Sequence, residues 1–366
     1  MLIYLVVLGF IVEGGLLDLE RYSRQISLLE IGLEGQTRLR SAKVCLVGVG
    51  GLGCPAALQL TGMGVGYLRI IDRDTVSKTD LHRQYLYTTS DVGLPKVEAA
   101  LKRLKDLNPD VEVDPIPEAL TPSTAKRLIE GVDVVVDGLD RITPRYALNR
   151  ACVDLKIPYV FGAAIELMGS ATTVIPDETP CLECIYPSLS DENMDRCAIV
   201  GVHPSILSIV SSIQVSEAVR IIIGKKPSLA GKLFFADLSA PSFDFIEVAR
   251  SKVCRVCGEN RVAESPRPEV EVEESCARDG RGTFFITPSQ PSALDLTSLE
   301  RSLIRKGYQN IKKSQMGISF DYTPRMKVHI LRSGYAVVQV SPPREERDKE
   351  EAYKAYLDAI ESLKAV

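Results

Sequence analysis

Strong net charge is absent from this sequence. Forty-four Lys and Arg against 48 Asp and Glu leave a formal charge of −4 over 366 residues. Proteins whose main partner is a nucleic-acid backbone usually carry a basic face, so the balance argues against that class. The apolar start of the sequence is not expected to span a membrane. Met1 to Val12 is almost wholly apolar, but a span needs ~20 such residues. The segment lacks a basic n-region and a small-residue cleavage site, which argues against a signal peptide. It reads as a buried strand or helix, or as an extension from an upstream start codon. Internal repeats are absent. What is present, 45% hydrophobic and 25% charged residues, is enough apolar material for the core of an ordinary soluble protein.

The length suggests one large α/β domain plus a small one. Short apolar strands end at Val47, Ile71, Val136 and Phe161, and helical segments lie between them. That alternation predicts a Rossmann-like, mostly parallel sheet with helices on both faces. A long apolar helix is expected from Pro204 to Ile223, with strands on either side of it. Gly258 to Glu274 is rich in Glu and Pro without apolar periodicity and reads as a linker. The chain therefore divides into an extension at 1–20, a main domain at 21–257, a linker at 258–275 and a small α+β domain at 276–366. In the last part a strand is expected at Thr283 to Ile286, a helix at Leu294 to Lys306, a hairpin about Ser333-Gly334 and a closing helix at Lys349 to Leu363.

Gly48-Val49-Gly50-Gly51-Leu52-Gly53 follows a strand and opens a helix. Its glycines let backbone approach a phosphate, and the helix N-terminus favours negative charge. Asp72 lies nineteen residues past Gly53, at the end of the next strand, where a carboxylate takes ribose hydroxyls. The motif alone does not choose between NAD and ATP. The run Asp80 to Tyr85 contains Arg83 and Gln84, Lys96 stands at a helix start, and Asp140 follows a later strand. Two cations offset phosphate charge and a carboxylate offers hard oxygen to a metal, so the set suits a triphosphate with Mg²⁺.

Nine cysteines is an odd number in a chain too long to need disulfide staples. Cys181-Leu182-Glu183-Cys184 and Cys254-Arg255-Val256-Cys257 form two chelating pairs. Four thiolates suit a closed, structural Zn²⁺ site in a reducing, cytoplasmic setting. Cys45, Cys54 and Cys152 sit in apolar patterns and read as core. No cysteine follows Cys276, so the C-terminal part is not a rhodanese-type sulfurtransferase.

From Arg21 to Gly258 the chain resembles the ThiF/MoeB/HesA group, the prokaryotic relatives of ubiquitin-activating enzymes. The resemblance rests on Arg21-Tyr22-Ser23-Arg24-Gln25, Gly48 to Cys54, Asp72-Arg73-Asp74, His82-Arg83-Gln84, Gly93 to Lys96, Asp140, Arg145 and the paired cysteines. It implies ATP-dependent adenylation of a ubiquitin-like carrier's C-terminal Gly-Gly, with Mg²⁺ and release of pyrophosphate. Asp72 would hold ribose, Arg83 and Lys96 the phosphates, and Asp140 the Mg²⁺. Gly48, Gly50, Gly51, Gly53, Asp74, Asp80, Gln84 and Arg145 would complete the nucleotide site. Arg24 would reach the ATP of a neighbouring subunit, which implies a homodimer. Cys197 resembles a cysteine that in some members binds the carrier covalently; a packed free cysteine is the other reading.

The sequence departs from the group at two places: Asp80 and Arg141 stand where asparagine is usual. These leave a non-catalytic scaffold for ubiquitin-like proteins as one alternative, beside an NAD-dependent dehydrogenase. The C-terminal unit would recruit the carrier or a downstream conjugation partner, or serve as a dimer or stability element; for the protein as a whole the resemblance also implies a sulfurtransferase or conjugating partner.

Overall fold

The computed structural model describes residues 11–12, 15–16, 18–191, 200–259, 261, 271–276, 282–288, 292–341 and 347–364. Strands β1 (Ile11–Val12) and β2 (Gly15–Leu16) pair as a small antiparallel ladder within the apolar extension. The main sheet has eight strands: β3 (Lys43–Val47), β4 (Tyr67–Ile71), β5 (Glu112–Ile116), β6 (Val134–Asp137), β7 (Tyr159–Ile165), β8 (Met168–Val174), β9 (Lys232–Asp237) and β10 (Ser242–Glu247). Their order is β10-β9-β8-β7-β6-β3-β4-β5. Pairings from β7 through β6, β3 and β4 to β5 are parallel, and those from β7 out to β10 are antiparallel. The parallel strands are apolar runs because helices cover both faces: Val44, Leu46, Val134 and Val136 join one core cluster, and Cys45, Val47 and Val135 the other.

The polar stretch after Arg21 holds two helices, α1 (Ser23–Ile26) and α2 (Gly32–Ser41), separated by a turn. Then come α3 (Gly53–Met63), α4 (Lys96–Leu107), α5 (Ala125–Ile129), α6 (Ile142–Leu155), α7 (Leu182–Ile185) and α8 (Pro204–Ile222). Helix α8 is the one described helix long and apolar enough to cross a membrane. Here it packs Ile206, Leu207 and Val210 against Leu52, Ala171 and Phe234. Cys45, Cys54 and Cys152 are fully buried, and burial pushes the Cys45 and Cys54 thiols up to about 12.

A second sheet has six strands, β11 (Glu271–Cys276), β12 (Gly282–Thr287), β13 (Gln309–Lys313), β14 (Gly317–Thr323), β15 (Met326–Leu331) and β16 (Ala336–Val340), in the order β11-β12-β16-β15-β14-β13. Helices α9 (Leu296–Arg305) and α10 (Asp348–Lys364) accompany it. Phe284, Ile286, Phe320, Val328 and Val338 pack with Leu299, Leu303 and Ala355 in a core of its own. One correction concerns the linker. Residues 271–276 form strand β11, paired antiparallel to β12. Their acidic composition hides a strand because the ladder partner, not local apolar periodicity, fixes them. The rest of that tract beyond Glu259, apart from Arg261, lies outside the described residues.

Candidate active site

The C-terminal ends of β3, β4, β6 and β7 open into one cleft of about 730 Å³. Ligands of open α/β sheets bind at this edge. The glycine turn after β3 forms its floor, and its glycines do different work. Gly48 has φ +90°, and a Cβ there would lie 2.6 Å from the Gly138 backbone. A Cβ on Gly53 would lie 2.0 Å from the Gly48 carbonyl oxygen. Those two are required by the fold itself. On Gly51 a Cβ would meet a Leu207 methyl at 2.8 Å, whereas on Gly50 it would meet only Gln84 Nε2, at 3.8 Å. Gly50 keeps the cleft floor clear, which is what an approaching phosphate needs.

Asp72 receives the Val49 amide at 2.8 Å on one oxygen and the Asp74 amide at 2.8 Å on the other. Burial raises its pKa, opposed by the charge of Lys96. Lys96, the first residue of α4, is buried and donates to Asp74 Oδ2 at 2.8 Å, with Asp80 Oδ2 at 3.8 Å. Burial opposes its charge, yet Asp74, Asp72 and Asp80 together raise its pKa, so it stays an ammonium. Burial likewise opposes the charge of Asp74, which Lys96 nonetheless holds below the usual carboxylate range.

Asp80 is buried and acts as a hub. It accepts from Arg83 Nη2 at 3.2 Å, Gln84 Nε2 at 2.9 Å and the Ser77 amide at 3.0 Å. Arg83 also donates to the Thr79 carbonyl at 2.7 Å. The carboxylate thus fixes the Arg83 and Gln84 side chains at the cleft wall. Gln84 Oε1 is buried with no partner among the described residues, an acceptor that a ligand donor would satisfy.

Asp140 is exposed on the cleft, positioned to offer oxygen to a hard cation. Arg145 has a different surrounding. It is buried, donates to Asp137 Oδ2 at 3.2 Å, to the Gly162 carbonyl at 2.7 Å and to the Leu139 carbonyl, and lies over the Phe161 ring. It shapes the wall and ties β6 to β7. Tyr159 donates to the same Asp137 oxygen at 2.6 Å.

Arg24 is exposed on α1 and does not line this cleft. Cys197 lies outside the described residues. The described residues on either side, Asp191 and Val200, both line the cleft. Asp191 also caps α6, accepting the Ile142 amide at 2.7 Å and the Thr143 amide at 3.0 Å.

Cys181, Cys184, Cys254 and Cys257 converge, all four sulfurs lying within 4.8 Å of one another. Cys181 and Cys254 are 3.7 Å apart, and Cys184 and Cys257 3.3 Å. Tetrahedral zinc with Zn–S bonds of ~2.3 Å demands S···S separations close to these. The residues fit the ion, which would tie α7 and the residue that opens it to the segment after β10.

Several lining residues carried no signal in the sequence. Glu273, Thr283, Phe285 and Gln339 come from the second sheet, and the 118–122 loop follows β5. Only folding brings them to the glycine turn.

A model of the ThiF family matches residues 22–256. The adenylyltransferase and sulfurtransferase MOCS3 of Culex quinquefasciatus is 38% identical over 300 residues, covering 81% of this chain and 66% of that protein. The chain covers 56% of the Aedes aegypti MOCS3, so it spans two thirds or less of these relatives' length. The SAMP-activating enzyme E1 of Haloferax volcanii is 39% identical over 261 residues, 71% of this chain and 96% of that protein. The sulfur carrier protein adenylyltransferase of Thermus thermophilus is 38% identical over 265 residues, 71% of this chain and 97% of that protein. Among solved structures, E. coli MccB with ATP superposes with a TM-score of 0.59 at 24% identity, over 65% of this chain and 74% of that one. That likeness speaks for the fold alone.

Proposed function

Because the chain belongs to the ThiF family, we propose that it binds ATP in this cleft and adenylates the C-terminal Gly-Gly carboxylate of a ubiquitin-like sulfur-carrier or modifier protein. It is an enzyme of the adenylyltransferase class, as its named relatives are. The observation that carries the reading is the placement of Lys96, the Asp80-held Arg83 and the open Asp140 around one glycine turn.

The chemistry follows from charge. A carboxylate oxygen of the carrier forms a bond to the α-phosphorus while the bond from that phosphorus to the bridging oxygen breaks. The electron pair leaves with pyrophosphate. The carboxylate is already ionised, so no general base is needed. The obstacle is that two anions must meet, and positioned cations lower it. Amides of the glycine turn and the α3 N-terminus face the phosphates, Lys96 and Arg83 offset their charge, and Asp72 takes ribose. Asp140 would hold Mg²⁺, which would supply further neutralisation of the phosphate charge.

A protein substrate is supported by edge strand β10, whose Phe243, Phe245 and Ile246 are exposed. The exposed Arg24, which does not line its own cleft, supports a homodimer in which it serves the partner's nucleotide. Family membership sets the NAD reading aside, and Asp80 acts as an orienting hub, which weakens the scaffold reading. A four-cysteine zinc site with the buried thiols suits a reducing, cytoplasmic setting.

The test is ATP–pyrophosphate exchange with purified protein and candidate Gly-Gly-ending carriers. Exchange is expected only with Mg²⁺ and a carrier together. Carrier binding without exchange would establish the scaffold alternative instead.

A further inference from the structure

The second sheet turns one face to its own helices and the other to the cleft. Along β12, Phe284 and Ile286 enter the helix-covered core, while Thr283 and Phe285 line the cleft. Glu273 on β11 stands opposite Phe285, and Gln339 on β16 opposite Thr283. Both also line the cleft. Period-two alternation thus assembles four side chains from three strands into one surface.

That surface is tied to the main domain at three places around the nucleotide cleft. Glu273 Oε2 accepts from Arg73 Nη2 at 2.7 Å and from Arg141 Nη1 at 3.0 Å. The Arg73 guanidinium also lies 4.0 Å over the Phe285 ring. Ser333 donates to the Pro117 carbonyl, and Leu331 and Tyr335 pack with Ala119 beside the 118–122 lining loop. The Glu98 carboxylate accepts the Gln315 amide at 3.1 Å and the Met316 amide at 2.9 Å, two residues from Lys96 on the same helix.

The first tie has a particular placement. Arg73 directly follows Asp72 at the end of β4, and Arg141 directly follows Asp140 beyond β6. Strand β3, which carries the glycine turn, lies between β4 and β6. One carboxylate oxygen therefore bridges the two flanks of the glycine turn. The cleft keeps about 730 Å³ with this wall in place, within the ~300–1,000 Å³ of ligand sites. The wall encloses the site and does not fill it.

Resting on the ATP reading above, we propose that the C-terminal sheet is a wall of the nucleotide site, in which Glu273 is a positioning residue that holds Arg73 and Arg141 across the cleft mouth. Arg141, unusual for the family resemblance, then has its counterpart in Glu273. Nucleotide binding and docking of the sheet favour each other by linkage.

The experiment is calorimetric titration of the full chain with Mg²⁺–ATP and, separately, with AMP. Glu273→Gln should weaken both by roughly ten- to a hundredfold, the worth of one charge-assisted hydrogen bond. Phe285→Ala should weaken both as well, and it carries the test if Glu273→Gln does not fold. In an Arg141→Asn background, Glu273→Gln should cost less than in the wild type, because the two share one contact. Glu300→Gln breaks an ion pair to Lys313 elsewhere in the C-terminal unit and should leave affinity unchanged, which separates wall loss from general loosening. Unchanged affinities in Glu273→Gln and Phe285→Ala would overturn the proposal while leaving the ATP reading intact. Tighter ATP with unchanged AMP would overturn it in favour of an electrostatic brake. A wild type that binds neither nucleotide overturns both readings.

Discussion

The Lys96 ammonium lies 2.8 Å from the Asp74 carboxylate, at the first residue of α4 and inside the cleft. The pair is the centre of a group that includes Asp72 and Asp80. A single cation answers several carboxylates, which makes it important to both the fold and the chemistry. Lys96→Met should lower pyrophosphate exchange at least ~100-fold, the usual loss when a positioned charge stabilising a transition state is removed. Stability should fall too, since Asp72, Asp74 and the buried Asp80 then face one another without it. Exchange measured where circular dichroism shows the variant folded decides the point. Activity within tenfold of wild type rejects the role.

The glycine turn permits a paired comparison. Gly53→Ala drives a methyl into the Gly48 carbonyl at 2.0 Å and should destabilise by several kcal/mol, ~3 or more, through forced backbone movement. Gly50→Ala meets nothing closer than 3.8 Å. It should change stability by less than ~1 kcal/mol yet weaken ATP binding, because the methyl enters the cleft. Urea unfolding and nucleotide titration on both variants check this. Equal stability losses would show that Gly50 too is required by the fold.

Metal analysis should find one zinc per chain, held by Cys181, Cys184, Cys254 and Cys257. Cys181→Ser should lose the metal and more than ~4 kcal/mol of stability, in the range for loss of a structural ion. Where it remains folded, nucleotide affinity should change far less, since these sulfurs do not line the cleft. A metal-free, fully folded wild type contradicts the assignment.

His329 is buried on β15. Burial, with a smaller contribution from Lys327, lowers its pKa from 6.5 to about 4, opposed by Asp74 and Asp321. The sign follows from proton counts. Between pH 6.5 and about 4 the unfolded chain binds a proton that the native state refuses, so stability is lost as pH falls through that window. The slope should approach ~1.4 kcal/mol per pH unit at most. Thermal unfolding of wild type and His329→Gln from about pH 7.5 downward tests it, starting above the ordinary histidine range. The wild type should lose more stability on acidification, and parallel curves would exclude His329 as the source.

The sequence alone determined the glycine turn, the strand ending at Asp72, the lysine opening α4 and the two cysteine pairs. Each is a local pattern whose physics acts over a few residues: a positive φ, a helix start, a chelating spacing. It also determined the parallel sheet, because buried strands are apolar whatever their neighbours. Other features were decided only by tertiary structure. Asp80 reads as an extra charge beside a triphosphate, and becomes an orienting hub only when Arg83, Gln84 and Lys96 close around it. Arg145 reads as part of the nucleotide site and does line the cleft, but only the fold shows that it also ties Asp137, Leu139 and Gly162 together. Strands β11 and β13 are polar, and ladder partners give them order that their own side chains do not signal. Glu273 sat in an acidic tract read as a linker, and it reaches Arg73 across two hundred residues. No local pattern encodes that meeting, because long-range pairing depends on how two separately packed sheets come together.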